Sequence, residues 1–293
     1  MQKSSKLKKV LTKDIFEKFK EQKISDESLS NIEEKMAELE SFVPAVGIFG
    51  KTGAGKSSLC NALFGQETAK VSDVSACTRE PQEIFIKLTD TGNGINLIDL
   101  PGVGENKERD EEYKKLYESW IPKLDLIIWV VRADDRAFSV DEFFYENVVK
   151  TQIAQSKIPF LVVINQVDKV NPLREWNSAN NHPGHKQQEI IGERINWVSQ
   201  KFFIDWEFIV PVSALENYNL GKLVEQIIKI VPNGKKLGFF NSVKDEFVTE
   251  TSRELTFKSI IEYLKNTIDE VKPYIPEIIA GITWVYSQLK SKA

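Results

Sequence analysis

Residues 49–65 read FGKTGAGKSSLCNALFG, and Gly50-Lys51-Thr52-Gly53-Ala54-Gly55-Lys56-Ser57 satisfies G-x-x-x-x-G-K-[ST] at every fixed position. An apolar run precedes this stretch and a helical pattern follows it, which is the context a phosphate cradle needs. Glycines let the backbone wrap, so that successive N–H groups face an anion at the positive end of the next helix. In such a loop Lys56 neutralises β- and γ-phosphate oxygens, the Ser57 hydroxyl ligates Mg²⁺, and Ser58 meets the α-phosphate. The competing reading is a Gly-rich corner that only joins a strand to a helix. The loop constrains the fold as much as the ligand, because it requires a strand before it and a helix after it.

The rest of residues 43–232 supplies that fold. Short apolar runs recur as PAVGIF (44–49), EIFIKL (83–88), INLIDL (95–100), DLIIWVV (125–131), PFLVVIN (159–165) and EFIVPVS (207–213). Most are β-branched and unalternating, as strands buried on both faces of a mainly parallel sheet should be. Helical patterns fill the gaps at 57–65, 108–119, 140–154, 187–202 and 219–231. The spacing predicts an α/β three-layer sandwich around a six-stranded, mostly parallel sheet. A polar excursion at 171–188 reads as a loop between the fifth strand and its helix.

Four more segments follow in an order that matters. Asp99-Leu100-Pro101-Gly102 ends the third strand, where Asp99 can hold a Mg²⁺-bound water and the Gly102 N–H can meet a γ-phosphate. Upstream, Thr78 in SACTREP is the residue expected to close on Mg²⁺ and γ-phosphate. Asn165-Gln166-Val167-Asp168 follows the fifth strand. A carboxylate at Asp168 accepts from guanine N1–H and the exocyclic amine but repels the lone pair of adenine N1, which disfavours an ATPase. Val212-Ser213-Ala214 follows the sixth strand, where Ser213 or Ala214 can offer a backbone N–H to guanine O6. Each tetrapeptide alone is a weak signal; the ordered set on strand ends is a strong one.

On these motifs residues 44–231 resemble a bacterial Era-like GTPase of the translation-factor-related P-loop class. The wording of GKTGAGKSSLCNALFG, VSDVSACTREP, DLPGVGE and RADDRAFSVDEFFY is similar to a prophage-associated branch of it. The resemblance implies a six-stranded sheet with one antiparallel strand, GTP and GDP binding with Mg²⁺, and slow hydrolysis to GDP. Immunity-related and septin-like GTPases share the P-loop style, but the flanks here carry no sequence-level match. Three departures stand out. Gln166 replaces the usual lysine of the guanine motif, so its methylenes can cover the base without a cation. Val103 stands where Ras-like proteins have the glutamine that orients water, and Gly53 where potassium-activated relatives carry asparagine. Arg136, just past the fourth strand, and after it Arg79, beside Thr78, are the arginines that could stabilise γ-phosphate charge; the bland reading is a salt bridge to Asp134, Asp135 or Glu80.

Helical segments at 1–42 and 233–293 flank this part. Leu7, Leu11, Ile15 and Phe19 recur every fourth residue, and Leu29, Ile32, Met36 and Leu39 follow at three- and four-residue steps, with Ser25 or Asp26 as the cap between. Residues 1–23 hold eight lysines against three acids, and 24–42 hold six acids against one lysine. Lysines interleaved with core-spaced apolar residues favour two packed helices over a basic arm for RNA or membrane. Phe240, Val243 and Phe247 form one later stripe, and Phe257, Ile260, Ile261, Leu264, Ile268 and Val271 another. Pro273 and Pro276 are expected to break the pattern before EIIAGITWVYSQLK (277–290), which should dock on the first helices.

Net charge is −4, so no global excess of positive charge argues for DNA binding. The two cysteines, Cys60 and Cys77, have no disulfide or metal spacing, and no apolar run reaches the roughly 18 residues of a membrane span. The chain therefore reads as cytoplasmic. His182 and His185 lack a third ligand of clear spacing and make a poor metal site. Two functions fit: a GTP-hydrolysing switch whose residues 67–82 and 102–112 order around the γ-phosphate, or a nucleotide-dependent assembly scaffold with little turnover. The partners expected are GTP itself, a homodimer through the nucleotide face, and a protein or ribosomal effector, with a membrane surface as the weaker reading.

Overall fold

The computed structural model describes residues 5–65, 82–87, 94–99, 107–135 and 139–290. Six strands, β1 Ala45–Phe49, β2 Gln82–Lys87, β3 Gly94–Asp99, β4 Leu126–Arg132, β5 Phe160–Asn165 and β6 Ile209–Pro211, form one sheet in the order β2-β3-β1-β4-β5-β6. Among the described residues β2 alone is antiparallel to its neighbour; the other pairings are parallel. The expected six-stranded α/β sheet is what the chain forms.

Strand residues alternate between two buried layers, which is why 126–131 of β4 and 160–164 of β5 are apolar at every position. Leu126, Ile128, Val130, Leu161 and Val163 face one core. Ile127, Trp129, Val131, Val162 and Ile164 face the other. The second core is covered by α4 (Lys107–Trp120), α5 (Ser139–Phe144), a π-turn at Tyr145–Val149, α6 (Lys150–Ser156) and α7 (His185–Phe202).

The first core is covered by α3 (Lys56–Phe64), α8 (Leu220–Ile230) and both helical flanks. The flanks are α1 (Ser5–Lys20), α2 (Asp26–Ser41), α9 (Lys236–Ser242), α10 (Glu250–Thr267) and α11 (Ile275–Lys290). Leu11, Ile15 and Phe19 of α1, with Ile32, Met36 and Leu39 of α2, are buried in the same apolar body as Val46, Leu63 and Ile227. Polar joints reinforce it. Asp125 accepts from the Ala45 N–H (2.7 Å) and from Lys235 Nζ (2.5 Å), and Lys244 N donates to Leu63 O (2.8 Å).

Ser25 is the cap of α2, its Oγ accepting from Ser28 N at 3.2 Å. Glu270, 245 residues later, accepts from Ser25 N (2.9 Å), Ser25 Oγ (2.7 Å) and Ser28 Oγ. The last helix does dock on the first: Ile278 and Ile282 lie in the shared core, and Gly281 faces the Lys18 stem.

Some boundaries differ from expectation. Pro273 lies inside a 3₁₀ turn at Asp269–Tyr274, and Pro276 falls in the first turn of α11, where its missing N–H has no helical partner to lose. The pattern does break here: α10 ends at Thr267, and α11 begins at Ile275, two residues earlier than expected. β6 is cut to three residues by a 3₁₀ turn at Trp206–Phe208 and by Pro211. The excursion at 171–188 ends earlier than expected, because α7 begins at His185. Among the described residues, no helix is long and apolar enough to cross a membrane.

Candidate nucleotide site

The loop after β1 turns on glycines in left-handed conformations. Gly50, Gly53 and Gly55 have φ of 130°, 82° and 86°. A Cβ on Gly50 would lie 2.1 Å from Val130 O, and one on Gly55 would lie 2.4 Å from Asn165 Nδ2. Space and torsion both demand glycine at these two positions. The loop closes with Ala54 N donating to Lys51 O (3.2 Å) and leads into α3 at Lys56. Lys56 Nζ folds back over the loop and donates to Gly50 O (2.8 Å) and Lys51 O (3.0 Å). Thr52 and Ser58 are exposed and Ser57 is half-buried in the first turn of α3. A cation and the amino end of a helix thus share one exposed concave loop, which suits a phosphate chain.

The end of β5 binds this loop to the next one. Asn165 is 1% exposed; its Nδ2 donates to Ala54 O (3.1 Å) and Gly55 O (3.3 Å), while its Oδ1 accepts from Ala214 N (3.1 Å). Gln166 has φ of 63° and its Nε2 donates to Gly53 O at 3.0 Å. Lys169, at the end of the following 3₁₀ turn, donates to Gln166 Oε1 at 2.9 Å. A cation therefore reaches this corner from position 169 although position 166 lacks one.

Asp168 is different. Its Oδ1 is buried, and no described residue donates to it. A buried carboxylate oxygen without a donor is costly, and such atoms occur where a ligand completes the pairing. The Ser213 and Ala214 amides, expected to face a base oxygen, are engaged within the protein. Ser213 N donates to Tyr218 O (3.2 Å) and Ala214 N to Asn165. The 171–184 loop supports this corner, with Trp176 and His182 packed edge-on against Tyr218. His185 is 89% exposed beside Glu189, so the two histidines do not converge.

The opposite wall is charged. Lys51 Nζ lies 3.2 Å from Asp141 and 3.5 Å from Asp135. Asp141 is nearly fully buried and also accepts from the Trp129 indole N–H at 3.0 Å. Burial pushes its carboxyl above the ordinary range, against the pull of Lys51. Arg132, the last residue of β4, pairs with Asp134 through Nε (2.9 Å) and Nη2 (2.7 Å), which holds the Asp134 carboxyl below its ordinary value.

Of the residues expected to form the site, hydrogen bonds tie Gly53, Ala54 and Gly55 to Asn165 and Gln166, and Asn165 to Ala214; Asp168 lies two residues on from Gln166. Asp99 ends β3 in register with Ile48, two residues before Gly50. Thr78, Arg79, Gly102, Val103, Arg136 and Cys77 lie outside the described residues. Cys60 is a buried core residue of α3. Sequence reasoning overlooked Arg132, Asp141 and Lys169. Arg132 is a charge at a strand end and Lys169 one beside a motif; Asp141, inside α5, carried no such signal.

The family described as 50S ribosome-binding GTPase matches residues 45–166. The uncharacterized protein YkfA of Escherichia coli (strain K12) is 35% identical over 254 residues, 85% of this chain and 84% of that one. GTPase Era of Aquifex aeolicus (strain VF5) is 27% identical over 239 residues, 78% of this chain and 72% of its own. A solved structure of Era in complex with MgGDPNP and nucleotides 1506–1542 of 16S ribosomal RNA is 26% identical. That alignment covers 65% of this chain and 57% of that one, with a TM-score of 0.43.

Proposed function

The chain belongs to the Era-like P-loop GTPases, and from that premise we propose that it binds GTP and GDP with Mg²⁺ and hydrolyses GTP as a molecular switch. The observation that carries the guanine reading is the donor-less buried Oδ1 of Asp168, which the N1–H and amine of guanine would complete and adenine would not. Residues 43–232 form the nucleotide-binding part in this reading, and the helices at 1–42 and 233–293 are its output.

The cradle fits the substrate. Lys56, now resting on the Gly50 and Lys51 carbonyls, needs only to turn outward to meet phosphate oxygens. Gly53 to Ser58 would supply backbone N–H groups. Gln166 and Asn165 hold the loop in shape beneath the nucleotide. Mg²⁺, when bound, neutralises phosphate charge; Ser57 and Asp99, with Thr78, are the residues that would hold it. A ribosomal surface is the first effector class to test, as the matched family's description names the 50S subunit.

Nucleotide competition on the full chain tests the reading. GTP and GDP should displace a fluorescent guanine nucleotide while ATP does not, and Lys56→Ala should abolish binding. Unchanged affinity in that variant refutes the assignment. Val103, which has no group to orient water, favours the scaffold as a second reading. A rate per molecule that rises with protein concentration indicates dimer-assisted hydrolysis. A flat, near-zero rate with GTP-dependent oligomeric mass supports the scaffold.

A further inference from the structure

Gly53 carries no side chain, and the space beside it is occupied at its edge by an arginine. An ideal Cβ on Gly53 would lie 4.0 Å from Arg132 Nη1, and apart from the two adjoining residues no other described heavy atom comes that near. Arg132 closes β4 in register with Asn165, so its backbone is fixed by the same ladder that places the guanine motif. The guanidinium is a planar fork with two usable edges. Asp134 takes the edge made by Nε and Nη2, which leaves Nη1 as the corner beside the P-loop. The side chain is 40% exposed, so an incoming phosphate chain can reach it.

We propose that Arg132 is a catalytic residue of GTP hydrolysis, donating from Nη1 to the phosphate chain where it passes Gly53, with Asp134 as its positioning residue. The inference rests on the GTPase reading above. In the reaction the oxygen of water bonds to the γ-phosphorus as the bond from that phosphorus to the β–γ bridging oxygen breaks. The electron pair stays on the GDP oxygen; one proton of the water remains on the inorganic phosphate and the other passes to solvent. Negative charge grows on the leaving GDP during this step. A cation fixed beside it in advance stabilises the transition state more than bound GTP. Because the arginine comes from the same chain, the step needs no partner to deliver it.

The test uses the full chain as wild type, Arg132→Ala, Arg132→Lys and Asp134→Asn. GDP affinity, GDPNP affinity, single-turnover GTP hydrolysis and aluminium-fluoride-dependent retention of GDP are measured for each. Arg132→Ala should bind GDP within about threefold of wild type, hydrolyse GTP about 100-fold more slowly and lose fluoride-dependent retention. Arg132→Lys should recover only part of the rate, because an ammonium lacks the fork. Asp134→Asn should fall between. Hydrolysis within twofold of wild type with retention intact in Arg132→Ala overturns the proposal, as does an equal loss of GDP and GDPNP binding. If wild-type turnover is too slow to measure, equal retention in the two proteins overturns it. A wild type that binds neither GDP nor GTP refutes the GTPase reading itself.

Discussion

Asn165→Ala removes a side chain that touches neither end of a phosphate chain directly, yet it should be among the most damaging changes in the site. The amide makes bonds to Ala54 O, Gly55 O and Ala214 N from a position 1% exposed. Each is worth about 1 kcal/mol net, and stranding the buried Ala214 N–H and Ala54 carbonyl adds to that, so a loss of roughly 3 kcal/mol is expected. At about 2.1 cal/mol/K per residue, 293 residues give an unfolding entropy near 0.6 kcal/mol/K. The variant should therefore melt about 5 °C lower. Where the tether serves mainly to order the P-loop, the same free energy reappears as an ordering cost on binding, a weakening of up to about 100-fold in GDP affinity. Differential scanning fluorimetry without nucleotide and titration with a fluorescent GDP separate the two effects. Asn165→Asp divides the tether, because a carboxylate still accepts from Ala214 N but repels the two carbonyls. A melting shift under 1 °C together with GDP affinity within twofold would refute the reasoning.

Asp168→Asn should leave the nucleotide-free protein as stable as wild type or slightly more so, since the change relieves a buried acceptor that has no donor. It should also move preference from guanine to xanthine nucleotides, read by competition. Lys51→Met leaves Asp141 buried without its cation. Asp141 already titrates above its ordinary 3.8, so the folded protein keeps a proton where the unfolded chain has lost it, and stability falls as pH rises through that window. Removing Lys51 widens the window. The variant should match wild type near the ordinary value and lose roughly 3 kcal/mol towards neutral pH in urea melts, and adding Asp141→Asn should remove the pH dependence.

What the sequence discloses here is what is local. The P-loop glycines, their strand and their helix are contiguous, and unalternating β-branched runs have few other places to go than a doubly covered sheet. Asn165-Gln166-Val167-Asp168 was legible as a candidate motif because it follows directly on an unbroken apolar run. The partnerships were not. Lys51 meets Asp141 some ninety positions away, and Asn165 meets Ala54 at a separation of 111 residues, contacts that no periodicity encodes. Gln166 was read as a lost cation because Lys169 reaches the corner only once a 3₁₀ turn has brought it round. The break before the last helix was legible from Pro273 and Pro276, but its exact start at Ile275 was not, because proline is tolerated in a first helical turn.

The shared core of the two flanks sets an order in time. Ser25, the cap of α2, and the Glu270 carboxylate that accepts from it are 245 residues apart in the chain. At translation rates of about 5–20 residues per second, α1 and α2 leave the ribosome roughly 12 to 50 seconds before the residues that cover them. During that interval Leu11, Ile15, Phe19 and Ile32 have no permanent cover, and the sheet face they will share is still being made. Cover of α1 and α2 by α10 and α11 thus cannot precede the synthesis of residues 250–290. A holdase that binds exposed apolar surface has its opportunity on these two helices before that point.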